Sequence, residues 1–251
     1  MIEVKNVNKS FGDAHILHDV SAEFRPGQVN LIIGQSGQGK SVLTKCIVGL
    51  HEVDNGSIEY DGRKFSSMNT KERKGIRQEI GMLFQGSALF DSLTVEENVM
   101  FPLTMFTKMS KEEMRERANF CLQRVNLENK NHLLPAETSG GMQKRIAIAR
   151  AIAMNPKYLF CDEPNSGLDP KTSIVIDNLI REITYEYQIT TVVITHDMNS
   201  VIEIGDHIIF IHTGRNWWQG SKKDILSTEN PEILDFVYAS QFMKNLKGKL
   251  S

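Results

Sequence analysis

Apolar residues in the first sixty positions alternate with polar ones or gather in short runs. The segments "IEVKNV", "ILHDVSAEF" and "QVNLII" therefore read as β-strands, parted by turn residues such as Arg25-Pro26-Gly27. From Lys40 to Leu50 the spacing becomes helical, and "SIEYDG" and "EIGMLF" then predict two more short strands. A helical stretch follows from about 94 to 154. Within it "SKEEMRERANFCLQRVN" begins with Ser110 and Glu113, the two halves of a capping box, and places Met114, Ala118, Leu122 and Val125 on one face. Beyond it strand and helix alternate: "KYLFCD", "PKTSIVIDNLIREITYEY", "ITTVVIT", a short helix from Met198 to Ile204, then "HIIFIH". Such alternation predicts a parallel sheet covered on both faces. A strand through the adjacent Trp217 and Trp218 would send their rings to opposite faces, leaving one partly exposed. From Ser221 the chain reads as helical to about Tyr238.

Composition narrows the class. The 251 residues are 40% hydrophobic and 24% charged with a formal net charge of -2, a soluble globular balance with no overall attraction to nucleic acid. No apolar stretch reaches the ~18 residues that span a bilayer, and no signal-peptide core opens the chain. Work at a membrane is expected from outside the lipid, on the cytoplasmic face. Cys46, Cys121 and Cys161 lie far apart in apolar or helical surroundings, which predicts reduced core residues.

The chemistry begins at Gly34-Gln35-Ser36-Gly37-Gln38-Gly39-Lys40-Ser41, continued by Val42, between an apolar strand and a helical pattern. Glycines there let backbone amides turn toward an anion, and the helix that starts at the loop adds its positive end. Lys40 would reach the β and γ phosphates of ATP and Ser41 would ligate Mg²⁺. Downstream, Tyr158 to Cys161 form an apolar run ending in Asp162 and Glu163, at the strand end where open α/β sheets bind ligands. Asp162 is expected to hold Mg²⁺ and Glu163 to activate the attacking water as general base. Gln85, after "GMLF", is a candidate sensor of metal or water, and His196, after "TTVVIT", a candidate γ-phosphate contact. A second glycine-rich helix start, Thr138-Ser139-Gly140-Gly141, offers another amide-rich anion site. The helical insert separates it from the first, so it is expected to reach the nucleotide of a second copy.

These motifs, in this order and spacing, resemble the ATP-binding cassette (ABC) nucleotide-binding subunits along nearly the whole chain. The resemblance implies an α/β fold: a P-loop NTPase cassette with a RecA-like parallel-sheet core, an N-terminal antiparallel β subdomain and an inserted helical subdomain. It implies an ATPase domain over 1–225, with the insert at about 94–154, and a helical extension over 226–251. By the same resemblance Phe11 stacks on adenine, Gln85 joins Ser41 and Asp162 at Mg²⁺, and Ser139, Gly140 and Gly141 contact the γ-phosphate across a homodimer. Asp169, in Ser166-Gly167-Leu168-Asp169, communicates between the two sites. Thr138 replaces the usual leucine of the signature and Asn165 a common threonine, and neither removes a phosphate ligand.

A finer likeness, carried by Gln35, Gln38, "FQGSALFDSLTV" and Met142, is to the ATPases of Mla or MCE-type phospholipid transport systems. It implies integral membrane permease subunits, an MCE lipid-binding protein and a small accessory subunit as partners. The alternatives are an ATPase of another importer, such as one for amino acids, and a cell-division or cell-wall regulator built on the same cassette. Cassettes that act on DNA or ribosomes carry a long coiled coil or a second cassette, and neither is present here. Apolar Ile233, Leu234, Phe236, Val237, Tyr238 and Phe242 are expected to pack on a neighbouring chain or accessory subunit. Lys244, Lys247 and Lys249 read as a solvated tail, with contact to anionic lipid as the alternative.

Overall fold

The computed structural model describes residues 1–238, so Phe242, Lys244, Lys247 and Lys249 lie outside it. Its strands are β1 (Ile2–Phe11), β2 (Ala14–Phe24), β3 (Val29–Ile33), β4 (Asn55–Tyr60), β5 (Arg63–Lys64), β6 (Ile80–Leu83), β7 (Tyr158–Asp162), β8 (Thr190–Ile194), β9 (His207–His212) and β10 (Arg215–Gly220). The α-helices are α1 (Lys40–Ile47), α2 (Thr70–Gln78), α3 (Val95–Phe106), α4 (Lys111–Arg124), α5 (Gly140–Ile152), α6 (Pro170–Tyr187), α7 (Met198–Ile204), α8 (Lys222–Ser227) and α9 (Pro231–Val237).

Two sheets result. β2-β1-β4-β5 is antiparallel, and β10-β9-β3-β8-β7-β6 is parallel from β9 to β6 with β10 antiparallel at its edge. Because side chains alternate along a strand, each central strand feeds two cores. Leu31, Leu159, Cys161, Val193, Ile208 and Phe210 face the helices α3 to α7, while Ile32, Tyr158, Phe160, Val192, Ile194 and Ile209 face α1 and the antiparallel sheet. A strand buried on both sides reads as a near-continuous apolar run, and these do apart from the buried polar Asn30, Thr190, Thr191 and His207.

Local signals set the helix ends. Ser110 and Glu113 close the expected capping box on α4, and Asn69 with Glu72 closes another on α2. Trp217 is 42% exposed while Trp218 packs against the core, so the adjacent rings do part to opposite faces of β10.

Two expectations for the C-terminal segment need correction. The segment expected to be helical from Ser221 to about Tyr238 is two short helices, because Asn230 caps a new start at Pro231, whose missing N–H suits a first turn. Ile233, Phe236 and Val237 are buried in this chain's own core, with the Phe236 ring 5.5 Å from Phe210, and do not face a neighbour.

Candidate nucleotide site

Parallel pairing aligns the C-terminal ends of four strands. Leu83 lies beside Cys161, Asp162 beside Ile194, and Ile32 beside Ile194. The loop after β3, Gln85 after β6, Asp162 and Glu163 at β7, and His196 after β8 therefore meet at one edge. The chain brings these residues together although they span more than half its length.

The loop from Gly34 to Gly39 turns on glycine. Gly34, Gly37 and Gly39 have φ of 141°, 78° and 101°, and a Cβ on Gly34 would come within 2.2 Å of the Ile211 carbonyl oxygen. Gly39 opens α1, its carbonyl accepting from the Leu43 amide at 2.9 Å, and it has no side chain to cap the helix. Every other α-helix among the described residues has a side-chain cap: Asn69, Thr94, Ser110, Ser139, Asp169, Asp197, Ser221 and Asn230. The first amides of α1 alone keep no side-chain acceptor, at the end of the helix where the macrodipole is positive. Lys40 lies over the loop, 7% exposed, its ammonium donating to the carbonyls of Gly34 at 2.7 Å and Gln35 at 2.8 Å. Burial pushes its pKa down and the charges of Glu163 and Asp162 push it back up. Gln38 is turned away from the cradle and accepts from the Thr213 amide, whereas Gln35, Ser36 and Ser41 are exposed and Val42 is half-buried.

At β7, burial raises the Asp162 pKa, the neighbouring charge of Glu163 adds to this, and Lys45, Lys40 and Lys144 oppose it. Glu163 adopts φ 47°, in the left-handed region that costs a non-glycine residue ~1–2 kcal/mol. Its amide is pinned to the Ile194 carbonyl at 2.9 Å, and its Oε1 lies 2.9 Å from His196 Nδ1. The imidazole expected at the γ-phosphate thus has one nitrogen on the carboxylate and the other, Nε2, directed away from it. Phe11, 46% exposed, stands at the tip of the β1–β2 hairpin with Lys9 over its ring and His51 edge-on at 5.1 Å. The same β2 strand supplies Ile16 and Leu17 against Gly39.

The second glycine-rich start has an intramolecular reason as well. A Cβ on Gly141 would sit 2.6 Å from Thr172 Cγ2 in the first turn of α6, whereas one on Gly140 would meet only Leu168 Cδ2 at an ordinary 3.7 Å. Ser139 caps α5, its Oγ accepting from the Met142 amide at 3.3 Å. Asp169 caps α6 through the amides of Lys171 and Thr172, and the Thr172 contacts hold its carboxyl below the usual range. Both residues expected to act across a dimer hold helix starts in their own chain. Lys144, on α5, went unnoticed in the sequence: 4% exposed, its ammonium donates to the Gln85 carbonyl. No local pattern marks it, because only the tertiary fold places that loop over α5.

The family model for ABC transporters matches residues 17–166, more than half the chain. The chain belongs to the ABC transporter family. The cassette is similar to the methionine import ATP-binding protein MetN of Clostridium tetani (strain Massachusetts / E88), 39% identical over 98% of the chain and 77% of MetN. It is similar as well to the glutamine transport ATP-binding protein GlnQ of Escherichia coli (strain K12), 40% identical over 93% of each. Among solved structures, the dimeric bacterial ABC transporter cassette MJ0796 superposes with a TM-score of 0.81 at 35% identity, covering 88% of this chain and 99% of that one. MJ0796 is known also as a post-hydrolysis dimer with ADP and Pi. The fold is thus the P-loop ABC cassette, and the cassette is an ATP-hydrolysing transporter subunit that uses ATP with Mg²⁺. These two relatives are named for methionine import and glutamine transport, and neither name supports the finer phospholipid likeness.

Proposed function

We propose that this chain converts ATP hydrolysis into movement within a membrane transport complex, pairing head to tail with a second copy over two nucleotides. The observation that carries this is the bare start of α1, the one α-helix among those described that keeps its first amides for an external acceptor. Lys40 and the amides of Gly37 to Val42 hold the phosphates, and Phe11 offers its exposed face to adenine. Glu163 takes the proton of the attacking water, and His196, bonded to it, aims it toward the γ-phosphate. Ser139, Gly140 and Gly141 serve the partner copy's nucleotide, and Asp169 carries the signal between sites.

Ser41, Asp162 and Gln85 fit Mg²⁺ in hard oxygen ligation. Among the described residues no group of three or more His, Cys, Asp or Glu could hold a metal ion, and these three side chains would hold Mg²⁺ together with the nucleotide. When bound, the ion neutralises phosphate charge.

Docking to permease subunits is supported by apolar side chains left exposed around the loop after β6 and on α3: Phe84, Phe90, Phe101, Met105 and Phe106. No helix among the described residues is long and apolar enough to cross a membrane, in keeping with a cassette held at the cytoplasmic face by such partners. Cargo resides in the membrane partner. Amino-acid import is the first reading, supported by relatives that match nearly the whole chain. Phospholipid transport is the second, supported by Gln35, Gln38, Met142 and "FQGSALFDSLTV". Purifying the complex from membranes and identifying its subunits and bound small molecules decides between them. A solute-binding protein with an amino acid supports the first, an MCE-domain protein with phospholipid supports the second, and a cassette with no integral membrane subunit refutes both.

A further inference from the structure

Two cations of α5 grip the loop that carries Gln85. Lys144 donates to the Gln85 carbonyl, and Arg150 donates to the carbonyls of Ser87 and Ala88, each at 2.7 Å. Ser87 and Ala88 lie consecutively in the left-handed region, φ 62° and 46°, which is strained for residues other than glycine. The loop holds this conformation with three of its carbonyls bonded to one helix. Arg150 alone would anchor its far half, so the grip on Gln85 calls for its own explanation.

Lys144 is an expensive residue to place there. Taking an ammonium out of water costs several kcal/mol unless opposite charge or dipoles replace the solvent. Burial does push its pKa down, and the groups that push it back are Cys161, Asp162 and Glu163 at the end of β7. Lys144 in turn helps hold the Asp162 carboxyl down. The ammonium therefore holds the Gln85 carbonyl directly, while its charge acts on the paired carboxylates at the end of β7. A neutral donor would satisfy the carbonyl at far lower desolvation cost, but it would not offset two carboxylates on adjacent residues. Ser139, which opens the same helix, lies five residues earlier, about 7.5 Å along the axis.

We propose that Lys144 is a positioning residue that binds the first turns of α5 to Gln85 and to the Asp162–Glu163 end of β7, so that engagement of α5 with the partner copy's nucleotide sets the geometry of its own copy's metal and water groups. The proposal rests on the cross-chain reading of Ser139 to Gly141 given above. Because one rigid helix carries both ends, a shift at Ser139 arrives at Gln85 without loss. Each nucleotide site is then informed of the other through this helix.

Lys144→Met keeps length and removes charge and donor, Lys144→Gln keeps a donor alone, and Lys144→Arg keeps both. Steady-state hydrolysis by the full-length chain is measured against MgATP concentration, alongside binding of a fluorescent ATP analogue and thermal melting. Loss of alignment of this kind costs up to about 10²-fold. Lys144→Met is expected to lower kcat ~10–100-fold, leave KM and nucleotide affinity within about threefold, and flatten the cooperative dependence on ATP. Lys144→Gln is expected to resemble it, and Lys144→Arg to restore kcat and cooperativity. The proposal is overturned if Lys144→Met keeps kcat within twofold with cooperativity intact, or if Lys144→Gln matches the parent. It is also overturned if all three variants lose activity together with melting temperature, since the residue would then be merely structural. Ser139→Arg, measured in parallel, separates the two layers: an undiminished ATP-dependent dimer in that variant sinks the cross-chain reading, whereas a lost dimer with a fully active Lys144→Met sinks only the role of Lys144.

Discussion

Replacing Glu163 with glutamine preserves the length and branching of the side chain and removes its capacity to accept a proton. The fold should barely register it. The backbone strain at φ 47° is the same for either residue, the amide still bonds to Ile194, and the amide side chain can still meet His196 Nδ1, so the loss is at most the charge assistance on one hydrogen bond. That is about 1 kcal/mol, or roughly 2–4 °C in melting temperature for a chain of this size. Catalysis should suffer far more. A positioned general base supplies about 10²–10⁴ in rate, equal to roughly 2.7–5.4 kcal/mol of barrier. The assay is phosphate release by the purified chain with MgATP, paired with light scattering to detect the dimer. Glu163→Gln should bind ATP, accumulate as a closed dimer and turn over at least about 10²-fold more slowly. His196→Ala, which removes only the group that orients the carboxylate, should lose less. Turnover of Glu163→Gln within threefold of the parent, or a loss no larger than that of His196→Ala, would refute the assignment of the base.

Lys40→Ala should lose ATP affinity by about tenfold or more, since one charge-assisted contact to phosphate is worth ~1.5–3 kcal/mol, and unchanged binding by calorimetry would contradict it. Gly140→Ala should fold normally, because the added methyl meets Leu168 at 3.7 Å, yet weaken the ATP-dependent dimer; an intact dimer by size exclusion would remove Gly140 from the interface. Asp177 lies buried between Asn165 and Ser200, and burial above all raises its pKa from the ordinary 3.8. A raised carboxyl pKa means that the folded state resists ionisation, so the stability cost is absent below pH 3.8 and grows as pH rises through the folded value. The melting temperature of Asp177→Asn relative to the parent should therefore improve as pH rises from below 3.8 to neutrality, and a relative loss over that rise would reverse the sign.

What the sequence disclosed was whatever is written locally. The helix from Pro170 to Tyr187, the strand from His207 to His212 and the capping box of α4 follow from apolar period and cap residues a few positions apart. The strand-end residues Gln85, Asp162, Glu163 and His196 were legible because parallel pairing must bring such ends together. α2 was missed although Asn69 and Glu72 announce it, since asparagine is a less familiar partner in that box and Gly75 interrupts the helical pattern. The clash that Thr172 imposes at Gly141, the burial of Phe236 against Phe210 and the reach of Lys144 to Gln85 join residues far apart in the chain, and no local spacing encodes them.

Lys40 already commits two of its three ammonium protons to Gly34 and Gln35. The third is left for an arriving phosphate, and any further contact must be won from the two carbonyls, so the affinity measured for ATP includes the balance of that exchange. The bracket also stiffens the loop ahead of any encounter, so association should be governed by diffusion and charge, with no slow reshaping step in the approach to equilibrium.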